Sequence, residues 1–149
     1  MKRLMLLFLV LFFFPMTAIA GEKIKGTNFL VVDQQSWKTG EGTGYWIWHG
    51  KGISNSVLGP LGTDPIECHG AGFWDKDGSW GNGICLHGDG DDTRTSDWKR
   101  DKGQKVGQWK TFSGTGKFAG ITGAGSYTPT PLPRGRHISE WEGEVTLAK

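Results

Sequence analysis

The chain has 149 residues, a length typical of a single domain, and it contains 25 Gly and 8 Trp. Its 36% hydrophobic content excludes a disordered chain, and glycine without a three-residue period excludes collagen. A formal net charge of only +2 argues against a nucleic-acid binder, which would carry a concentrated basic surface.

The first twenty residues have the pattern of a secretory signal peptide. Lys2 and Arg3 form a basic start, Leu4–Phe14 is an unbroken apolar run, and Ala18–Ala20 supplies the small residues that signal peptidase requires. The apolar run is shorter than the ~20 residues that cross a bilayer, which favours a cleaved signal over a membrane anchor. We therefore expect cleavage after Ala20, a periplasmic or secreted protein, and no stable membrane anchor in the mature chain. Without Lys2 and Arg3, that chain is formally neutral.

Residues 21–149 are predicted to form one all-β domain. Glycine pairs recur throughout, and a helix would lose roughly 1 kcal/mol for each Gly relative to Ala. Runs rich in Trp, Phe, Val, Ile and Thr, separated by turn residues, predict eight short strands. The predicted strands are Ile24–Asp33, Thr43–Ile53, Pro65–Trp74, Ser79–Asp89, Thr95–Asp101, Lys105–Phe112, Gly120–Tyr127 and Ile138–Leu147.

The arrangement of these strands favours a single antiparallel eight-stranded β-barrel of the calycin type. Closure removes exposed strand edges, and eight strands enclose an interior that side chains fill or share with one small ligand. An open sandwich is the alternative. The Pro-rich segment Pro129–Pro133 is interpreted as a connector between the last two strands.

The C-terminal third of the chain carries a family resemblance. The stretch S-G-T-G-K-F-A-G-I-T-G-A-G-S-Y (113–127), followed by W-E-G-E-V (141–145), resembles the C-terminal part of allene oxide cyclase-like and dirigent-like barrels, above all their small bacterial secreted relatives. The resemblance implies an eight-stranded barrel in which the glycine-rich segment turns the chain into the next strand. Gly114, Gly116 and Gly120 would permit that turn, and Phe118 would plug the barrel end. No catalytic residue set of those families is matched, so neither epoxide cyclisation nor radical coupling carries over.

Cys68 and Cys85 are the two cysteines of the chain, and we expect a disulfide between them. They lie on adjacent strands joined by the turn Asp75–Gly78, and each is seven positions from its own end of that turn. The two cysteines should therefore face each other directly. A metal site is the alternative, because three histidines at positions 49, 69 and 87 approach the same region. Strand parity places His87 on the cysteine face and His69 on the other, so no metal ligands and no cofactor are assigned.

Parity also suggests which face of the third and fourth strands lines the barrel. One face carries the bulkier side chains, and the other is mostly glycine, so the bulkier face is expected to point inward. The bulkier face comprises His69, Ala71, Phe73, Ile84 and Leu86. On this assumption a few polar groups converge in an aromatic cavity, the usual form of a small-molecule site. The candidate ligand-binding residues are Tyr45, His49, Glu67, His69 and Asn82.

Sequence motifs for catalysis are absent. No G-x-S-x-G, H-E-x-x-H, P-loop or dinucleotide-binding fingerprint occurs in the chain. We therefore expect a non-enzymatic barrel that binds a small apolar or aromatic ligand. The alternative is a cyclase or isomerase of the allene oxide cyclase-like type, with no catalytic residue assigned. The sequence indicates no oligomeric state.

Overall fold

The computed structural model describes residues 21–148, so the predicted signal peptide lies outside the described residues. These residues form a closed barrel of eight antiparallel strands in which each strand pairs with its neighbours in sequence and β1 pairs with β8. The strands are β1 (Glu22–Gly40), β2 (Thr43–Leu58), β3 (Thr63–Asp75), β4 (Gly78–Asp89), β5 (Asp92–Arg100), β6 (Gly107–Gly114), β7 (Thr122–Leu132) and β8 (Arg136–Thr146). The barrel is thus confirmed over the open sandwich. Residues 21–148 contain no helix long and apolar enough to cross a membrane.

All eight predicted strands are present, and the largest differences lie at their ends. Strand β1 continues to Gly40 rather than ending near Asp33, because it pairs with β2 along almost its whole length. The interpretation of Pro129–Pro133 as a connector is wrong, since β7 continues to Leu132. Strand β7 pairs with β6 only as far as Tyr127. Beyond Tyr127 the β6-facing edge of β7 has no partner strand. A proline, which lacks an N–H group, therefore breaks no inter-strand hydrogen bond on that edge.

A single 3-10 turn, Gly116–Phe118, connects β6 to β7 and closes one end of the barrel. Gly116 (φ 52°) and Gly120 (φ 73°) adopt the left-handed conformation that the chain reversal requires. Phe118 is fully buried there, as the resemblance implied. It packs in a cluster with Ile24, Leu61, Ile121, Trp141 and Val145. The opposite end of the barrel carries the β1–β2, β3–β4, β5–β6 and β7–β8 turns.

The predicted pairing of β3 with β4 and the disulfide are confirmed. Asp75 pairs with Gly78 across the turn, and Cys68 pairs directly with Cys85. The two cysteines form a disulfide with their Cα atoms 4.0 Å apart. The bridge therefore joins neighbouring strands and forms part of the barrel wall.

The face predicted to line the barrel is the outer face instead. Cys68 and Cys85 are 1% and 9% exposed, whereas Ile84 and Leu86 are 51% and 46% exposed. The glycine-rich face of β3 and β4 points inward because tryptophan side chains from β2 and β5 occupy the space above it. A Cβ atom on Gly83 would lie 2.6 Å from Cζ2 of Trp98, and one on Gly81 would lie 2.7 Å from Cζ2 of Trp46.

Candidate functional site

The barrel encloses a cavity of about 260 Å³. All eight strands contribute to its wall, because each presents alternate side chains inward. The cluster around Phe118 closes it at one end. The cavity therefore has the form of a cup whose base is built by the 3-10 turn and whose opposite end is formed by the hairpin turns.

Aromatic side chains dominate the cavity wall. Trp98 lies nearly parallel to Trp46 and Trp48, with ring centroids 6.4 Å and 5.6 Å apart. Tyr127 meets Trp98 edge-on at 6.3 Å, and His137 stacks on Trp48 at 6.3 Å. Neighbouring aromatic groups at these separations attract one another in both stacked and edge-on arrangements. The wall thus presents several flat apolar faces in fixed orientations.

Inward glycines set the positions of these rings. A Cβ atom on Gly70 or Gly83 would collide with Trp98, and a Cβ atom on Gly72 or Gly81 would collide with Trp46. On the other side of the barrel, Gly125 and Gly143 leave the same kind of space for Trp109. Each of these three indoles therefore covers two glycines on neighbouring strands. This pairing accounts for a chain that is rich in both Gly and Trp.

Trp98 differs from Trp46 and Trp141 in its hydrogen bonding. Trp46 Nε1 donates to Ser79 Oγ at 2.9 Å, and Trp141 Nε1 donates to Asn28 Oδ1 at 2.9 Å. In contrast, Trp98 Nε1 is buried and has no hydrogen-bond partner among residues 21–148. An unpaired buried donor costs free energy. Among these residues Trp98 Nε1 is therefore a buried donor that the packing leaves unpaired.

A buried polar network lies towards the closed end of the cavity. Arg94 forms a salt bridge with Asp64, and its Nη2 donates a hydrogen bond to Nδ1 of His87 at 3.1 Å. Nε2 of His87 lies 3.1 Å from Oγ of Ser96. His87, Arg94 and Ser96 all line the cavity. The guanidinium of Arg94 also lies over the Phe118 ring, 5.2 Å from its centroid.

The histidines and the tyrosine of the cavity are held in their neutral forms. Burial, followed by the positive charge of Arg94, lowers the pKa of His87 well below 6.5. Burial lowers the pKa of His137 as well, with a further contribution from Arg100. Burial raises the pKa of Tyr127 to about 12, against a smaller lowering by Arg100. Near neutral pH both rings and the phenol are therefore uncharged, and Asp64 balances the charge of Arg94.

The five predicted site residues lie outside the cavity. Tyr45, His49, Glu67, His69 and Asn82 all point to the outer surface, so their predicted inward orientation is wrong. The reason is the reversal of faces described above. Tyr45 stacks on Trp37 at 4.8 Å, and Asn82 lines a shallow depression on the outer surface together with His69.

His49, Glu67 and His69 come together on the outer face of β2 and β3. His49 Nε2 lies 2.9 Å from Glu67 Oε1, and His69 Nε2 lies 3.2 Å from the same oxygen. Lys51 Nζ contacts Glu67 Oε2 at 3.1 Å. The pKa of Glu67 is lowered, mainly by its hydrogen bond with Lys51 and further by its hydrogen bonds with both histidines. Partial desolvation of the carboxylate opposes this lowering.

The cavity residues could have been found from one signal in the sequence. Half-cystines are among the most buried residues, so a predicted Cys68–Cys85 bridge favours the cysteine face as the interior. His87 shares that face by parity. On β2 the same register selects Trp46 and Trp48 in place of Tyr45 and Ile47. Arg94 pairs with His87 on the next strand, which no sequence motif reveals.

Comparison with known proteins identifies a structural neighbour but no sequence family. No family model matches the chain. No curated protein matches it either. Among solved structures, the pterocarpan synthase dirigent protein GePTS1 superposes with a TM-score of 0.50 at 13% sequence identity, covering 85% of this chain and 88% of that one. The chain therefore has a dirigent-like barrel fold, in agreement with the resemblance found in its C-terminal third.

Proposed function

We propose that this protein binds a small aromatic molecule inside the barrel and does not transform it. The observation that carries the proposal is a cavity of about 260 Å³ walled by parallel tryptophan rings. Apolar walls with a few polar groups are the usual form of small-molecule sites. The structural neighbour is named as a pterocarpan synthase dirigent protein, which supports a small-molecule role for the same barrel.

The size of the cavity limits the ligand. An apolar protein cavity of ~150 Å³ binds benzene, so the larger space here suits a molecule of one or two fused rings. Stacking on Trp46, Trp48 or Trp98 favours a planar ligand over an aliphatic one.

The polar groups suggest one hydrogen-bonding substituent on the ligand. The Ser96 side chain lines the cavity beside His87, and because its oxygen accepts from that ring the hydroxyl keeps its own proton to donate. A phenol or carbonyl oxygen would accept from this donor. A neutral or weakly acidic ligand fits best, because His87, His137 and Tyr127 contribute no charge near neutral pH. Arg100 adds a positive charge to the cavity wall.

At the closed end of the cavity, the state of His87 favours binding over catalysis. Both ring nitrogens of His87 are engaged, one with Arg94 and the other with Ser96. A general acid or base needs a nitrogen within reach of the substrate proton. Glu67 and His69, two of the candidate ligand-binding residues, lie on the other side of the barrel wall. We further propose an oxidising compartment, the periplasm or the exterior, which the Cys68–Cys85 disulfide supports.

Fluorescence titration with 2-naphthol tests the proposal. Binding next to Trp46, Trp48 and Trp98 should quench or shift the tryptophan emission with a stoichiometry of one per chain. Ser139→Phe places a phenyl ring in the cavity and should weaken binding by at least ~10-fold. A tenfold change corresponds to about 1.4 kcal/mol of binding free energy. Ser113→Phe makes the same change on an exposed position of β6 and should leave binding unchanged. No saturable binding, or equal binding by Ser139→Phe and the unmodified protein, would refute the proposal.

A further inference from the structure

We propose that His49, Glu67 and His69 form a binding site for a divalent transition-metal ion of the Zn²⁺ type on the outer face of the barrel. This site is separate from the cavity, because its side chains project from the opposite side of the wall formed by β2 and β3. It therefore does not depend on the proposed ligand.

Strand register brings the three side chains together. His49 on β2 pairs directly with His69 on β3, so both project from the same face. Glu67 lies two positions before His69 on β3 and shares that face. The two imidazole rings are stacked with centroids 4.4 Å apart and an interplanar angle of 11°. Rigid strands therefore position all three groups before any ion binds.

The donor atoms already converge. Nε2 of His49 and Nε2 of His69 lie 2.9 Å and 3.2 Å from the same atom, Oε1 of Glu67. One ligand atom from each of the three residues lies within 4.8 Å of the other two. A tetrahedral Zn²⁺ ion with bonds of ~2.0–2.1 Å requires its ligands to be ~3.3 Å apart. Small side-chain rotations on the surface would meet this requirement without moving the backbone.

The donor set also suits the ion. Two imidazole nitrogens and one carboxylate oxygen are ligands that Zn²⁺ takes in proteins, and three protein ligands leave a further position open to water. Lys51 holds the other carboxylate oxygen, Oε2, at 3.1 Å and leaves Oε1 directed at the rings. On binding, the ion would replace the Nε2–Oε1 hydrogen bonds, and each neutral imidazole would carry its single proton on Nδ1, the tautomer that leaves Nε2 free to coordinate.

The sequence alone assigned no metal ligands, because parity separates His69 from the cysteines and His87. The structure confirms that separation, and Cys68 and Cys85 are joined to each other. The donor set proposed here needs neither cysteine. It combines the histidine on β2 with the two β3 residues that remain on the outer face.

Isothermal titration calorimetry with ZnCl₂ on protein free of any histidine tag tests the site. One ion should bind per chain. Glu67→Gln and the double variant His49→Gln/His69→Gln should each weaken Zn²⁺ binding by more than about 100-fold. Substitution of a residue that only supports a metal ligand already weakens binding by about 10–100-fold. Glu144→Gln makes the same change at an exposed position of β8 and should bind Zn²⁺ as the unmodified protein does. Co²⁺ in place of Zn²⁺ should give the visible absorption of a four-coordinate site, and the double variant should abolish it.

Other results would overturn the proposal. These are an absence of saturable Zn²⁺ binding, or binding that persists unchanged in the double variant. Thermal unfolding of each variant provides the control for folding. Because all three side chains are at least partly exposed, the variants should unfold within a few degrees of the unmodified protein.

Discussion

Arg94 donates a hydrogen bond from Nη2 to Nδ1 of His87 at 3.1 Å, so His87 is a neutral ring that carries its proton on Nε2. Nε2 in turn donates to Ser96 Oγ at 3.1 Å. Protonation of Nδ1 would remove the acceptor and place a second positive charge beside the guanidinium. The pair therefore links the protonation state of one ring to the geometry at the closed end of the cavity.

This arrangement predicts that stability falls in mild acid. The unfolded chain binds a proton at His87 near pH 6.5, whereas the folded chain does so only at much lower pH. The unfolded state then binds more protons, so the free energy of unfolding decreases as pH drops below about 6.5, by at most ~1.4 kcal/mol per unit for this group. Urea unfolding from pH 7.5 to 5 measures the slope. His87→Gln should reduce it, and His137→Gln should reduce it less. A slope unchanged in His87→Gln would contradict the assignment.

The salt bridge of Arg94 with Asp64 predicts a large effect of removing one partner. Both side chains are buried, so Asp64→Asn leaves an uncompensated guanidinium charge. We expect a loss of about 3–5 kcal/mol in the free energy of unfolding, measured by urea denaturation. The paired change Asp64→Leu/Arg94→Met removes both charges and should recover much of that loss. A double variant no more stable than Asp64→Asn would argue against this explanation.

The packing of Trp98 on inward glycines predicts position-dependent effects of alanine. In Gly83→Ala the new Cβ would lie 2.6 Å from Trp98 Cζ2 and closer still to the carbonyl oxygen of His69. Overpacking of this kind typically costs about 1–3 kcal/mol. In Gly40→Ala the nearest atom is the Thr43 hydroxyl at 3.1 Å, a flexible group, so the change should be nearly neutral. Comparison of the two variants by thermal unfolding checks this, and equal losses would refute it.

The disulfide predicts a moderate contribution to stability. Cys68 and Cys85 are 17 positions apart in sequence, and the chain-entropy model assigns a loop of that length roughly 3 kcal/mol. Cys68→Ala/Cys85→Ala should lower the free energy of unfolding by about that amount and retain the barrel. Thiol titration of the denatured, unreduced protein should detect no free thiol. A full thiol signal would show that the bridge does not form.

Much of the fold follows from local patterns in the sequence. Alternating apolar runs between turn residues predict all eight strands, because the period of two is a property of each strand alone. The turn at Asp75–Gly78 sets the register of β3 and β4, and that register predicts the pairing of Cys68 with Cys85. The G-T-G-K-F-A-G segment predicts the chain reversal and the burial of Phe118, since positive φ angles at Gly116 and Gly120 are local requirements.

Apart from the burial that a disulfide favours, the identity of the inner face was decided by tertiary structure. On β3 and β4 the bulkier side chains suggested the interior, but Trp46 from β2 and Trp98 from β5 fill the space above the glycines. Which residues are inside depends on the volume that other strands contribute, and the size of one strand's own side chains does not reveal it. The same closure brought Arg94 to His87 and Asp64. The sequence alone thus determined the strands, their order and the disulfide, while barrel closure decided which side chains form the cavity and which remain on the surface.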